Sequence, residues 1–136
     1  MKPALIVGGM HADARGNLRF CNDFDMSEVK RFYTVSNSKE QPKRGWIGHK
    51  CETKWFFPLI GRTTLVVEPM GRDPSAVVPE YEFLLDAKEP KILRIPGGNW
   101  FCIQQDDGEA EVLVFSNCKV GEFQNDDFRK DYDEEA

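Results

Sequence analysis

Arg44–Gly61 reads RGWIGHKCETKWFFPLIG, and the interpretation of the whole chain turns on it. Its flanks are rich in aromatic and branched residues, which suit a pleated, half-buried strand, and the polar step Lys50–Cys51–Glu52–Thr53 marks a turn or bulge between two strands. Side chains alternate across a strand, so Ile47 and His49 are expected on one face. If that face lines a cavity, His49 is the histidine in the middle of the sequence available for proton chemistry, with Arg44 and Lys54 supplying positive charge at either end. An imidazole that titrates near neutral pH, beside cations that stabilise developing negative charge, is what enolisation next to a carbonyl requires. The same residues also fit an ordinary buried strand with a structural imidazole and two solvated cations.

Outward from this stretch the pattern is strand after short strand. Ala4–Val7 is apolar and closed by Gly8–Gly9, with His11 in the loop that follows. Asp13–Gly16 is a turn leading into a strand at Asn17–Cys21, and Val29–Val35 is aromatic and β-branched. Beyond Gly61, further strands are expected at Thr63–Glu68, Glu80–Leu85, Lys91–Ile95, Asn99–Gln104 and Glu111–Phe115. Pro69–Pro79, with three prolines and a glycine, reads as an extended surface loop, and Asp107–Gly108 as a hairpin turn. Asn125 followed by Asp126 and Asp127 has the chemistry of a helix start, so Asn125–Tyr132 is expected as one short helix. Regular short strands with almost no helix mean an all-β sandwich or barrel.

At 136 residues the chain is expected to form one domain, 1–136, large enough to hold its own core. A net charge of −5, with acids crowded toward the last residues, argues against a nucleic-acid partner, which would need a basic stripe. No apolar run approaches a membrane span and the start lacks an export leader, so no membrane partner is expected. The cysteines, Cys21, Cys51, Cys102 and Cys118, are scattered without a C-x-x-C pair. That spacing suits neither a zinc site nor a disulfide framework, and it suits reduced thiols in the cytoplasm.

Motifs in a particular order carry a resemblance. Asp13-x-Arg15-Gly16, then Val29-Lys30-Arg31-Phe32-Tyr33, then Arg44-Gly45-Trp46-x-x-His49-Lys50, then Ile95-Pro96-x-Gly98-x-Trp100, with the tail DDFRKDYD at 126–133, resemble the RmlC-like cupins. These include the dTDP-4-dehydrorhamnose 3,5-epimerases and the dTDP-4-keto-6-deoxyglucose 3,4-ketoisomerases. The resemblance spans nearly the whole chain and implies an RmlC-like jelly-roll β-barrel that pairs as a homodimer. The general cupin metal ligands fall at Ile47, His49, Lys54 and Phe101, a set that cannot hold a divalent ion, so neither metal nor other cofactor is implied.

The ketoisomerases carry R-G-x-H-A-H-K, of which this chain keeps the second histidine as His49 and replaces the first by Ile47. The 3,5-epimerases carry a lysine seven residues before a strand-ending glycine, and Lys54 matches it before Gly61. The resemblance therefore implies a metal-independent isomerase of a dTDP-4-keto-6-deoxyhexose, of the ketoisomerase type with the epimerase type beside it, working through an ene-diol or ene-diolate. His49 would be the base, Lys54 the oxyanion stabiliser, and Tyr33 a proton donor or hydroxyl-positioning group. Arg15, Arg31, Arg44 and Trp100 would bind the nucleotide sugar, arginine being suited to bidentate contact with a pyrophosphate. With Ile47 and Phe101 where acid–base residues usually stand, the alternative is a cupin that binds a nucleotide sugar or other small ligand without turnover.

Overall fold

The computed structural model describes residues 1–71, 80–106 and 108–130. Two five-stranded antiparallel sheets face each other. The first runs β1 (Ala4–Val7), β9 (Lys91–Ile95), β6 (Lys54–Ile60), β11 (Glu111–Ser116), β4 (Arg31–Val35). The second runs β12 (Phe128–Arg129), β5 (Lys43–His49), β10 (Asn99–Gln104), β7 (Arg62–Pro69), β8 (Tyr81–Asp86). A separate hairpin is formed by β2 (Gly9–Asp13) and β3 (Gly16–Phe20).

Period-two patterning explains the layering. On β11, Val112 and Val114 are fully buried while Leu113 between them and Phe115 after them stay partly exposed. Val35, Phe56, Leu65, Val67, Leu93 and Phe101 join them, so the core draws on both sheets. Two fully buried valines on one strand, each removing a branched side chain from water, contribute on the order of 1.5–3 kcal/mol apiece. At the β6–β7 turn Gly61 takes φ 64°, and a Cβ there would stand 2.0 Å from the Glu109 carbonyl oxygen, so no other residue fits.

One irregularity decides which side chains of β5 reach the cavity. Across β5 and β10, Phe101 faces Ile47 but Ile103 faces Arg44, so β5 carries one residue more than its partner over that span. Such a bulge re-aims the side chains beyond it. In a regular strand Arg44 would point away from Ile47 and His49; here all three line the same cavity.

Four sequence expectations need correction. Residues 125–130 form a turn and strand β12, not a helix: Asn125 has φ 58°, and Phe128 and Arg129 pair with Gly48 and Ile47 of β5. The main-chain groups at the β5 edge, including reciprocal bonds between Trp46 and Lys130, draw the segment into the sheet. Residues 131 and 132 of that expected helix lie outside the described residues. His11 sits on β2 rather than in a loop, and Val29 and Lys30 precede their strand. Of the expected loop, β7 extends through Pro69, and 72–79 lie outside the described residues, as does residue 107 of the expected hairpin. Among the described residues no helix is long and apolar enough to cross a membrane.

Candidate active site

A cavity of about 510 Å³ is lined by residues of both sheets. Strand β4 contributes Arg31, Tyr33 and Val35, β5 contributes Arg44, Ile47 and His49, β6 contributes Lys54, and β10 contributes Phe101 and Ile103. Segment 118–129 closes the remaining side. Thus five of the seven residues singled out in the sequence, His49, Lys54, Tyr33, Arg31 and Arg44, stand around one space.

His49 is 6% exposed, and its two nitrogens have different surroundings. The Nδ1–H donates to the main-chain carbonyl of Asp126 at 2.7 Å. A carbonyl only accepts, so the proton of the neutral ring sits on Nδ1 and Nε2 carries the lone pair. Nε2 is buried and has no hydrogen-bond partner among the described residues. Burial, reinforced by the positive charge of Lys54, holds the His49 pKa below its ordinary value; the bond to Asp126 and the Glu52 and Asp126 carboxylates oppose this and do not overcome it. The result is a neutral imidazole with a free basic nitrogen in an apolar wall.

Lys54 is equally buried, at 6% exposure, and its ammonium lies over the rings of Phe101 at 5.5 Å and Tyr33 at 5.6 Å. Arg31 covers Tyr33 at 4.9 Å, so two cations share one aromatic ring. The charge that permits this is Glu52, a residue sequence reasoning passed over as part of a turn. Its Oε2 accepts from the Ser116 hydroxyl at 2.5 Å and from Arg31 at 3.4 Å, with the Lys54 ammonium at 3.9 Å. A buried carboxylate with three such partners keeps the cations in place without neutralising the cavity.

Asp126 was the other omission. Its carboxylate accepts the amides of Lys50, Cys51 and Glu52 at 2.7–3.1 Å, tying segment 118–129 to the turn that follows His49. Lys30 makes a second tie, to Glu122. A short tail of acids gives no sequence signal for either role beyond the presence of the charge.

Two residues named from the sequence stand elsewhere. Trp100 faces outward from β10, packed with Trp46, Val66 and Cys102 and covered by the Lys130 ammonium at 4.8 Å. Alternation dictates this: Phe101 and Ile103 point inward, so Trp100 and Cys102 cannot. Gly48 lies beneath its indole, where a Cβ would come within 2.6 Å of the ring. Burial, with the negative charge of Glu68 adding to it, pushes the Cys102 thiol pKa up to about 12. Arg15, with its side chain 86% exposed, is held by Asp13 at the tip of the β2–β3 hairpin, beside His11 and away from the cavity. Among the described residues no three His, Cys, Asp or Glu side chains are grouped so as to hold a metal ion.

Two facing antiparallel sheets around a cavity lined by inward residues of β4, β5, β6 and β10 have the fold of the RmlC-like cupins, shared with the solved structures named below. More narrowly, the chain belongs to the FdtA family, described as WxcM-like, C-terminal, whose model matches residues 4–135. Among solved structures it is similar to a 3,4-ketoisomerase from Helicobacter canadensis, at 20% identity over 96% of this chain and 92% of that one, TM-score 0.72. It is also similar to a dTDP sugar isomerase from Desulfovibrio desulfuricans G20, at 18% identity over 96% and 85% of the two chains, TM-score 0.79. A third is a mutant of the 3,4-ketoisomerase QdtA from Thermoanaerobacterium thermosaccharolyticum in complex with TDP-4-keto-6-deoxyglucose, at 20% identity over 94% and 87%, TM-score 0.71. At these identities the likeness is one of fold. None of the curated proteins compared matches the chain.

Proposed function

We propose that this protein is a metal-independent isomerase of a dTDP-4-keto-6-deoxyhexose, moving the keto group between neighbouring carbons through an ene-diolate. The observation that carries the proposal is the free Nε2 of His49, buried beside the cavity that Lys54 also lines. Nε2 takes the proton from the carbon next to the keto group, and the electron pair moves onto the keto oxygen, where the Lys54 charge stabilises it. The remaining hydroxyl proton passes between the two oxygens, with Tyr33 at hand, and the imidazolium returns its proton to the carbon that bore the keto group. Arg31 and Arg44 hold the anionic nucleotide portion at the cavity rim. The family and the ligand of the similar QdtA structure support a nucleotide-sugar substrate.

A homodimer belongs to the same reading. Among the described residues strand β1 pairs only with β9, at the edge of its sheet. Leu5, Val7, Met10 and Leu18 are large apolar side chains 42–68% exposed on the same N-terminal strands. A second copy covering them would remove both liabilities and bring the outlying Arg15 toward another cavity.

The apolar inner wall formed by Ile47 and Phe101 favours a second reading, a cupin that binds the nucleotide sugar without turning it over. The test is incubation with dTDP-4-keto-6-deoxyglucose in heavy water. Deuterium entering the sugar ring, read by NMR, supports the isomerase. Tight binding with no incorporation on this or a related keto sugar gives the case to the binder.

A further inference from the structure

Asp126 makes two kinds of contact at one place. Its carbonyl takes the Nδ1 proton of His49 at 2.7 Å, and its carboxylate gathers the three amides of the turn that follows His49. The second contact places the first: a carbonyl cannot be removed by substitution, but the side chain that locates it can. A competitor for the same proton stands close by. Glu52 Oε1 lies 3.7 Å from Nδ1, outside hydrogen-bond distance, and the amide of Glu52 is one of the three that Asp126 holds. We propose that Asp126 is a positioning residue for His49: by clamping the 50–52 turn it keeps the ring proton on Nδ1 and directed at its own carbonyl, leaving Nε2 bare toward the cavity.

This rests on the assignment of His49 as the base, but its geometry has its own readout. Other charged groups share the surroundings of the ring. Lys54 comes from β6, Glu52 from the turn, Asp127 from the closing segment, and Arg31, Arg44 and Arg129 line the same cavity from β4, β5 and β12. Among them, Asp126 is the group bonded to the imidazole. When the turn is released, Nδ1 is free to swing to Glu52, or the proton is free to move to Nε2. Either change costs the base its aim or its lone pair.

The experiment is imidazole ¹⁵N NMR of the whole chain. The sequence holds two histidines, so His11→Gln assigns the His49 signals. In the wild type at a pH where His49 is neutral, Nδ1 is protonated and Nε2 is not. An Nε2–H tautomer in the wild type overturns the proposal without any variant. In Asp126→Ala the two tautomers mix, and in Asp126→Asn, which keeps one acceptor oxygen for the turn, the mixing is smaller. Solvent-deuterium exchange falls about tenfold to a hundredfold in Asp126→Ala while dTDP affinity changes far less. A pure Nδ1–H tautomer in both variants, or a loss of affinity equal to the loss of exchange, refutes the positioning role. Should the wild type show no exchange at all, the base assignment fails while the tautomer spectra still decide whether Asp126 sets the ring.

Discussion

The Lys54 ammonium lies 3.9 Å from the Glu52 carboxylate, both side chains 8% exposed: near enough for charge balance, too far for a hydrogen bond. An ammonium held this way keeps its donors for whatever anion forms in the cavity. Replacing Lys54 by Met keeps the length and loses the charge. Exchange of solvent deuterium into the keto sugar is expected to fall by about 10²–10³. Because the Lys54 charge also depresses the His49 pKa, the acid limb of the pH–rate profile in Lys54→Met moves to higher pH. An unmoved limb shows that Lys54 does not act on His49.

His49→Asn preserves a hydrogen bond to the Asp126 carbonyl and removes the titrating nitrogen. Exchange is expected to drop by roughly 10²–10⁴. Full exchange in this variant excludes His49 as the base.

The same histidine makes stability depend on pH. Its folded pKa lies below the ordinary 6.5, so below that pH the unfolded chain binds a proton the folded chain resists. Stability is therefore complete above 6.5 and declines as pH falls from 6.5 toward the lowered folded value. Urea unfolding midpoints measured across this range should show the decline in the wild type and a shallower one in His49→Asn. Equal slopes remove His49 from the acid sensitivity.

Arg44 reaches the cavity only because β5 is bulged. Arg44→Ala removes a charge-assisted contact worth about 1.5–3 kcal/mol, so dTDP affinity by calorimetry should fall at least about tenfold. Unchanged affinity means that Arg44 does not touch the nucleotide.

The N-terminal strands provide the remaining test. Light scattering at micromolar concentration should give a dimer, and Val7→Asp, which charges an apolar side chain 68% exposed on β1, should give monomers. If the pairing carries Arg15 to a second cavity, Arg15→Ala weakens dTDP binding in the dimer. A wild-type monomer removes both expectations.

How much of this was readable beforehand differs residue by residue. Local alternation was enough for Ile47 and His49, whose shared face needs only a period of two. The same rule, applied to Phe101, turns Trp100 outward; its motif alone suggests a binding residue, and its parity does not. Arg44 is the reverse case, since parity counted from His49 puts it on the wrong face and only the bulge corrects it. Glu52 and Asp126 gave no local signal: one acts through Ser116, 64 residues away, the other through amides 74–76 residues away. The tail misled for a related reason. An asparagine followed by acids begins a helix when nothing competes, but the open edge of β5 offered partners that no reading of the tail alone could include.

The bond between His49 and Asp126 joins residues 77 positions apart. The buried core cluster around Phe56 is drawn from residues 35–114, whereas the carbonyl that orients the imidazole comes from position 126. The stretch of chain that supplies the apolar interior is thus distinct from the stretch that completes the surroundings of His49, so a substitution in the closing segment can disturb the ring and leave the core packed.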